Sequence, residues 1–367
     1  MFRKIFIISL VIFSGLPFFT KAGDDKIGGN EEIIEAEVVE IIEEREIERE
    51  DGSKNIQQNI RLKGLNGEWD GKEFIFEGIS NFDVVSSKKY GKGDKVIVSH
   101  HQDMDGKDMF YITDYVRRRG LYLLSLIFVM VIVIVAGFKG LRALLSLFLS
   151  FIIIMFYIIP KILAGSNPLS ISIIGSVLIL TGIIYLTEGL NRRSNLAVVS
   201  ILASLAITGA LAIFFTSLTR LGGMAGEEAM FLIGFSKTPI NFEGLLLAGI
   251  IIGTLGVLDD AVISQLATVE EIRKAGSLIS KRDLFRKSFG VGVSHISSMT
   301  NTLFLAYAGA SLPLLLLFSI KQPPFLSFTQ IINNEMIATE IVRALVGSVG
   351  LVLVVPIATF LGVEFGE

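Results

Sequence analysis

The 367-residue sequence contains no cysteine. It therefore has no disulfide bond, no thiolate ligand for a metal and no cysteine nucleophile. It also lacks a Walker motif or any other recognisable nucleotide-binding signature, so we expect no cofactor and no direct use of nucleotide energy. No segment resembles a nucleic-acid-binding module, and a formal net charge of −3 indicates no particular charged partner. We therefore expect no nucleic acid partner.

Long apolar runs are what the sequence has in abundance. Hydrophobic residues make up 51% of the chain and the mean hydropathy is +0.63, which is too apolar for an ordinary soluble protein. We predict that residues 120–367 form an α-helical polytopic membrane bundle of about seven spans, in contact with membrane lipid. The predicted spans are Leu121–Phe138, Ala143–Ile159, Leu169–Thr187, Leu196–Leu218, Leu245–Ser264, Ser297–Ile320 and Ile337–Leu361.

The N-terminal segment, residues 1–22, has the pattern of an export signal. Phe2-Arg3-Lys4 precedes an apolar stretch from Ile5 to Phe19, which is typical of a signal peptide or an uncleaved signal anchor. Thr20-Lys21-Ala22 is a fair cleavage site, so both outcomes stay open. In either case we predict that the residues that follow are exported.

Residues 23–119 predict a small exported β-rich domain. Four Asx-Gly dipeptides separate short alternating segments, as in β-hairpins. The segment Glu31–Glu50 has apolar spacing that suits a helix in part and a strand in part. We favour a long twisted strand that leads into a small β-barrel or sandwich. The other predicted strands are Ile56–Lys63, Glu73–Gly78, Lys95–His100 and Met109–Thr113.

Two adjacent histidines, His100 and His101, lie close to Asp103 and Asp105 and superficially resemble a metal-binding cluster. Neighbouring residues of a strand point to opposite faces, so the two imidazoles cannot easily share one ion. The spacing also matches no known ligand pattern. The better interpretation is a strand end followed by an Asp-Gly turn.

Charges between the apolar runs predict the orientation of the bundle. With residues 23–119 outside and the C-terminus in the cytoplasm, most basic loop residues fall on the cytoplasmic side, as the positive-inside rule requires. The run Arg117-Arg118-Arg119 on the outside is the exception. We therefore expect a multi-pass protein of a bacterial cytoplasmic membrane. The cytoplasmic loop residues are Lys139, Arg142, Arg192, Arg193, Arg273, Lys274, Lys281, Arg282, Arg286 and Lys287.

The fifth predicted span carries two adjacent acids, Asp259 and Asp260. A charged side chain at the bilayer centre costs about 2.5–3.5 kcal/mol on insertion scales, and intramembrane ionisable groups are usually functional. The two side chains point about 100° apart on a helix, so we expect them to face different partners. Three upstream glycines, Gly249, Gly253 and Gly256, favour tight helix packing or a local helix break.

Polar residues in three spans form a candidate binding site for a proton or small cation. We predict that the acids bind the ion and that Gln265, His295 and Asn301 line its path. Glu340 and Arg343 are three residues apart and can pair, and we interpret them as a supporting pair; Arg343 is also a candidate to neutralise one of the acids. The structural alternative is that the two Asp residues only hold the bundle together.

Several separated motifs, in order, resemble the YibE/F-like membrane proteins. They run from Gly253-Thr254-Leu255-Gly256-Val257-Leu258-Asp259-Asp260 to Val291-Gly292-Val293-Ser294-His295-Ile296, and then to Glu340-Ile341-Val342-Arg343 with Gly347-Ser348-Val349-Gly350. The resemblance covers about residue 90 to the C-terminus. It implies a bacterial multi-span membrane protein with an exported N-terminal region, and it implies no particular substrate.

Three functions remain as hypotheses. The first is an ion-coupled secondary transporter or permease that uses the buried acids. The second is a non-transporting envelope protein whose exported domain, residues 23–119, binds an envelope protein partner while the bundle acts as an anchor. The third, an intramembrane enzyme with Asp259 and Asp260 as acid and base, is the weakest because neighbours on one helix are poorly placed to form a dyad. We therefore expect that the protein is not an enzyme.

Overall fold

The computed structural model describes residues 32–48, 54–79, 89–103, 106–235, 238–276, 279–321, 323 and 325–366. The chain divides into two compact units, residues 1–135 and 136–367. The predicted signal or anchor segment, residues 1–22, lies outside the described residues.

The first unit contains a five-stranded antiparallel sheet with the strand order β3-β2-β1-β4-β5. The prediction of a long strand at the start of the domain is confirmed, and each of the other predicted strands overlaps an observed one. The strands are β1 (Glu32–Glu48), β2 (Lys54–Gly64), β3 (Glu73–Glu77), β4 (Lys95–Gln102) and β5 (Asp108–Tyr115).

Alternation along the strands places one face of the sheet in a core. In β1, Ile34, Ala36 and Val38 are buried while the residues between them are not. The two edge strands also approach each other, because the rings of Phe74 (β3) and Phe110 (β5) stack with centroids 4.2 Å apart. The sheet thus curls into a half-barrel. Its core comprises Ile34, Ala36, Val38, Ile60, Leu62, Phe74, Tyr90, Val96 and Val98.

The adjacent histidines of β4 face different partners. His100 stacks on Phe110, and its Nε2 lies 2.9 Å from Asp108 Oδ1. His101 stacks on Tyr111 with the two rings nearly parallel. The hydrogen bond from His100 lowers the pKa of the Asp108 carboxyl below its ordinary value. The two imidazoles therefore serve separate contacts within the sheet.

The helical part of the chain is built from long apolar helices joined by short connections. Asparagine side chains cap several of them, each by accepting a hydrogen bond from a backbone N–H of the first turn, as at Asn167, Asn191, Asn241 and Asn334. The helices are α1 (Arg118–Ile153), α2 (Ile159–Leu163), α3 (Pro168–Thr187), α4 (Arg192–Leu218), α5 (Glu227–Phe235), α6 (Phe242–Ala275), α7 (Lys281–Ala310), α8 (Leu312–Ile320), α9 (Phe328–Ile332) and α10 (Glu335–Phe365).

Five helical stretches within the described ranges are long and apolar enough to cross a membrane. They are Arg118–Leu163, Pro168–Thr187, Arg192–Leu218, Phe242–Ala275 and Glu335–Phe365. This is fewer than the predicted seven for two reasons. The first two predicted spans are two helices that meet at a kink at Gly137 and so fall within one stretch, and the sixth, Ser297–Ile320, is divided between α7 and α8.

The chain between the first two predicted spans does not form a loop. Only Gly137 leaves the helical conformation, with φ 57° and ψ −129°, a region that glycine enters without a Cβ clash. Helix resumes at once, and the guanidinium of Arg142 lies 4.9 Å from the centroid of the Phe138 ring, one turn away. Basic residues predict a loop poorly here because lysine and arginine are good helix formers.

In the second unit, α6 lies at the centre of the bundle and packs against α3, α4, α7 and α10. Its buried face joins the largest core cluster, which includes Leu258, Ala261 and Val262. Helices α6 and α10 run parallel, because Thr254 meets Gly347 near one end and Leu266 meets Gly362 near the other. Close approach depends on glycine: a Cβ on Gly347 would lie 2.9 Å from Thr254 Cγ2.

Helix α4 packs on the same pair in the opposite direction. The hydroxyl of Ser204 donates to the carbonyl of Gly350 on α10 over 2.9 Å. A Cβ on Gly350 would collide with the Thr208 hydroxyl. The prediction that Gly347 and Gly350 let helices approach closely is therefore confirmed.

The stability of the first unit, which contains the sheet and is named the β unit, depends on pH through Tyr90. Burial, followed by the nearby charges of Tyr115 and Asp114, raises the pKa of Tyr90 from 10.0 to about 12. An unfolded chain releases this proton near its ordinary pKa while the folded sheet retains it. The stability of the β unit should thus be constant below that ordinary pKa and fall as the pH rises from there toward the folded pKa.

We predict that the protein loses more stability between about pH 9 and about pH 11 than its Tyr90→Phe variant does. Denaturant unfolding of the full chain, followed by the fluorescence of Trp69, measures this, since Trp69 is the only tryptophan of the chain and lies in the β unit. The raised pKa of Tyr115 is common to both proteins. Equal losses in the two proteins would contradict the prediction.

Candidate functional site

The two acids occupy different environments on α6. Asp259 lies near the middle of this 34-residue helix and is half-buried, whereas Asp260 is exposed. One carboxylate oxygen of Asp259, Oδ1, is buried and has no hydrogen-bond partner within the described ranges. The predicted divergence of the two side chains is observed. Asp259 is therefore the acid that lies within the bundle.

The glycines before the acids do not interrupt the helix. Helix α6 is continuous from Phe242 to Ala275, so the predicted alternative of a local helix break is wrong. A Cβ on Gly249 or Gly256 would meet nothing within 4 Å, and one on Gly253 would approach only the Tyr307 hydroxyl, at 3.4 Å. These glycines leave open space beside α6 on the side away from its buried face.

Gln265 has a structural position in the core. It is 2% exposed, and its amide nitrogen donates to the carbonyl of Ser288 on α7 at 3.0 Å and to Thr359 Oγ1 on α10 at 2.7 Å. Its Oε1 lies 2.7 Å from the position of a Cβ on Gly292. Gln265 thus links three helices at one level, and its amide is already occupied by protein partners.

The structure does not bury His295 and Asn301 with Asp259. Both side chains are exposed on α7. Asn301 lies nine residues after Gly292, or two and a half turns, so it points away from the face of α7 that meets Gln265. That these two residues line the path of an ion stays a prediction.

Glu340 and Arg343 pair as predicted, with Arg343 Nη1 donating to Glu340 Oε1 at 2.7 Å. The pair lies on the wall of a cavity of about 860 Å³ at the end of the bundle where α6 and α10 begin. Arg343 Nε and Thr339 Oγ1 are buried there without a hydrogen-bond partner in the part of the chain that the structure describes. The hypothesis that Arg343 neutralises an Asp of α6 is not needed, because Glu340 already occupies its Nη1.

A second cavity, of about 380 Å³, lies at the other end of α6 and α10. Arg193, at the start of α4, forms ion pairs across it with Glu188 at 3.7 Å and Glu270 at 3.6 Å. The same guanidinium donates to the carbonyl of Ile263 at 3.3 Å. Because Ile263 lies one helical turn beyond Asp259, this network stands between the second cavity and the acid.

Arg273 closes the same end of the bundle. Its Nη2 donates to the carbonyls of Gly362 and Val363, at 2.8 and 2.9 Å. A basic side chain there adds a favourable donor to carbonyls of the last turn of α10, where the Gly362 carbonyl also accepts from the backbone N–H of Gly366. The ends of the parallel helices α6 and α10 are thereby tied together.

Sequence reasoning assigned Arg193 and Arg273 only a topological role and gave Glu188 and Glu270 none. A spacing signal was present for one contact, since Glu270 and Lys274 lie four apart and pair at 2.6 Å. The link from Arg193 to Glu270 crosses between helices, and no local pattern reveals such a contact. These residues were therefore missed as part of a site.

The arrangement provides an unsatisfied acid oxygen inside a helical bundle, with a cavity at each end. Ionised, Asp259 carries a charge, and none of the described residues donates a hydrogen bond to its Oδ1; protonated or bound to a small cation, it is neutralised. The geometry is suited to reversible ion binding. In the described part of the chain, no group of three His, Asp or Glu side chains is placed to hold a metal ion.

Comparison with known proteins identifies the relationship of the chain. A family model described as YibE/F-like protein matches residues 124–365. A second, the YibE/F family N-terminal domain, matches residues 30–115. No curated protein and no solved structure matches the chain.

Gln265 should contribute to stability through Thr359. We predict that Gln265→Leu lowers the free energy of unfolding by about 1–3 kcal/mol, because it removes two buried hydrogen bonds and leaves an acceptor unpaired. Thr359→Val should destabilise the bundle as well, and the double variant should lose less than the two single losses combined. Thermal unfolding in detergent measures these differences.

Thr268→Val is the matched control for the Gln265 experiment. Thr268 donates only to the carbonyl of Ser264 in its own helix, so its replacement should not couple to Gln265→Leu. Strict additivity between the changes at Gln265 and Thr359 would show that this hydrogen bond has no role in stability.

Proposed function

The chain belongs to the YibE/F-like family, and we propose that it is an ion-coupled secondary transporter in which Asp259 binds a proton or a small cation. The observation that carries the proposal is the buried, unpartnered Oδ1 of Asp259 near the middle of the central helix. Family membership supports a membrane bundle and does not supply an activity.

The placement of the two cavities supports alternating access to Asp259. One lies where α6 and α10 begin and the other where they end. Each contains an arginine that is engaged with carboxylates, Arg343 at one end and Arg193 at the other. Exchange of such pairs is a means by which one end of a bundle can open while the other stays closed.

Loop charge supports the orientation that we propose for the transporter. The end with Arg193 and Arg273 faces the cytoplasm of a bacterial cell, and the β unit lies outside the cytoplasmic membrane. The α7–α8 segment and the two parts of α1 on either side of Gly137 supply the remaining crossings of a seven-span bundle. The cavity beside Arg343 then opens away from the cytoplasm.

The proposal assigns different roles to the polar residues of the bundle. Asp259 binds the ion, and Gln265 positions α7 and α10 around it. His295 and Asn301 are exposed in this arrangement and receive no ion-binding role. Asp260 is exposed as well, which makes it the natural control for its neighbour.

We predict that replacing Asp259 by Asn abolishes ion-dependent charge movement, whereas Asp260→Asn retains it. Purified protein in proteoliposomes is adsorbed on a solid-supported membrane, and the transient current is recorded after jumps in pH, Na⁺ or Li⁺. Proton or cation binding at a buried acid displaces charge across part of the membrane, and an amide at residue 259 cannot take up the ion.

Matched size-exclusion profiles and melting temperatures establish that both variants are folded. A transient in Asp259→Asn equal to that of the unmodified protein would remove Asp259 from the proposal. Loss of the transient in Asp260→Asn alone would move the ion site to the exposed acid.

A second function, partner binding by the β unit, is favoured by exposed apolar side chains on the sheet. Ile33 and Tyr111 are 47% and 46% exposed, and both lie opposite Ser99 in the strand register. If this face binds an envelope protein, a photo-cross-linker at residue 33 should give one discrete adduct in cells, and Tyr111→Lys should remove it. A cross-linker at Glu48, the last residue of β1, is the control; a smear at both positions would exclude a defined partner.

A further inference from the structure

The cavity beside Glu340 and Arg343 has the dimensions of a ligand-binding pocket. At about 860 Å³ it lies within the range of roughly 300–1,000 Å³ that small-molecule sites occupy. Most of its wall is apolar, and its charged groups are few. The apolar part of the wall is formed by Leu232, Leu245, Leu246, Pro313, Leu314 and Met336.

Arg343 presents an incompletely used guanidinium to this cavity. Its pair with Glu340 engages Nη1, while Nε is buried without a partner among the described residues. A guanidinium offers five N–H donors in a planar fork that suits a carboxylate or phosphate. The side chain of Arg343 is 30% exposed and lines the cavity, so an anionic group of a ligand can use guanidinium N–H donors that Glu340 leaves open.

The charge of the cavity excludes a simple anion as the preferred ligand. Two carboxylates, Glu228 and Glu340, line it together with the single guanidinium of Arg343. A ligand with only a negative group would add to this excess of negative charge. A ligand that also carries an ammonium group places that group beside the carboxylates and its anionic group on Arg343.

We propose that this cavity binds a zwitterion, with an ammonium and an anionic group close together and an apolar body against the leucine-rich wall. Free apolar amino acids and the headgroup of phosphatidylethanolamine share this chemistry. The idea that this ligand is the transported cargo rests on the proposed function. The binding of the ligand to the cavity does not rest on it.

Direct binding to the full-length protein in detergent tests the proposal. The probe is leucine, compared with 3-methylbutylamine, which lacks the carboxylate, and 4-methylpentanoate, which lacks the ammonium. We expect saturable leucine binding and at least about tenfold weaker binding of each analogue, since each leaves one charged group of the site without its partner. Equal binding of 4-methylpentanoate and leucine would overturn the zwitterion assignment.

A parallel measurement identifies the source of the ligand. Native mass spectrometry of protein from nanodiscs that contain equal amounts of phosphatidylethanolamine and phosphatidylglycerol reports the retained lipid. Selective retention of phosphatidylethanolamine, without leucine binding, supports the site with a lipid as its ligand. Binding of neither leucine nor phosphatidylethanolamine overturns the proposal.

Substitutions locate the binding in this cavity. Arg343→Lys keeps the charge but not the planar fork, and should weaken binding about tenfold or more. The matched control is Arg286→Lys on α7, where the arginine makes the same i,i+3 pair with Asp283 but is exposed outside the cavity. Unchanged binding in Arg343→Lys would overturn the site.

A second variant covers the case in which Arg343→Lys does not fold. Ala310→Phe enlarges an exposed side chain on the cavity wall and should exclude the ligand without disturbing the ion pair. Full binding in this variant contradicts the location. Loss of ligand binding with retained Asp259-dependent currents would contradict the binding site and leave the transport proposal intact. Retained ligand binding without Asp259-dependent currents would contradict the transport proposal and leave the binding site intact.

Discussion

The close approach of α6 and α10 is the constraint on which the helical unit depends. Lipid tails are as apolar as leucine, so helices in a membrane associate through packing and hydrogen bonds and gain little from the hydrophobic effect. Gly347 and Gly362 allow the backbone of α10 to lie against side chains of α6. Gln265 and Arg273 then supply hydrogen bonds from α6 to α10 near one end of the contact.

That packing gives Asp259 its distinctive environment. The buried face of α6 makes leucine, alanine and valine contacts with its neighbours. The acid lies beside this face, and no residue in the described ranges donates to its Oδ1. The charged groups that could compensate it are instead paired at the two ends, Arg343 with Glu340 and Arg193 with Glu188 and Glu270.

Much of the architecture could be predicted because it depends on local patterns. Alternation identified the strands, including the long β1, and apolar length identified the helices that cross the bundle. The i,i+3 spacing correctly indicated the Glu340–Arg343 pair. The basic residues near Gly137 suggested a loop between the first two spans. In the structure a kink at Gly137 separates two helices, and the basic residues after it are helical.

The site was less predictable because its geometry is set between helices. The polarity of His295 and Asn301 suggested an inward position, but α7 meets its neighbours through other residues, such as Leu303, and leaves both exposed. Conversely, Arg193 looked like an ordinary cytoplasmic loop charge. Its contacts with Glu270 and Ile263 require that α4 and α6 run in opposite directions, which is a property of the packed bundle and not of either segment.

The bridge made by Gln265 also has a consequence for biosynthesis. Its partner Thr359 lies 94 residues further along the chain. At translation rates of roughly 5–20 residues per second, the Thr359 hydroxyl is made about 5 to 20 s after Gln265. During this interval the amide of Gln265 and the carboxylates of Asp259 and Asp260 have no completed bundle around them. The central helix thus enters the membrane with its partners α3 and α4 already made, and it acquires its contact with α10 last.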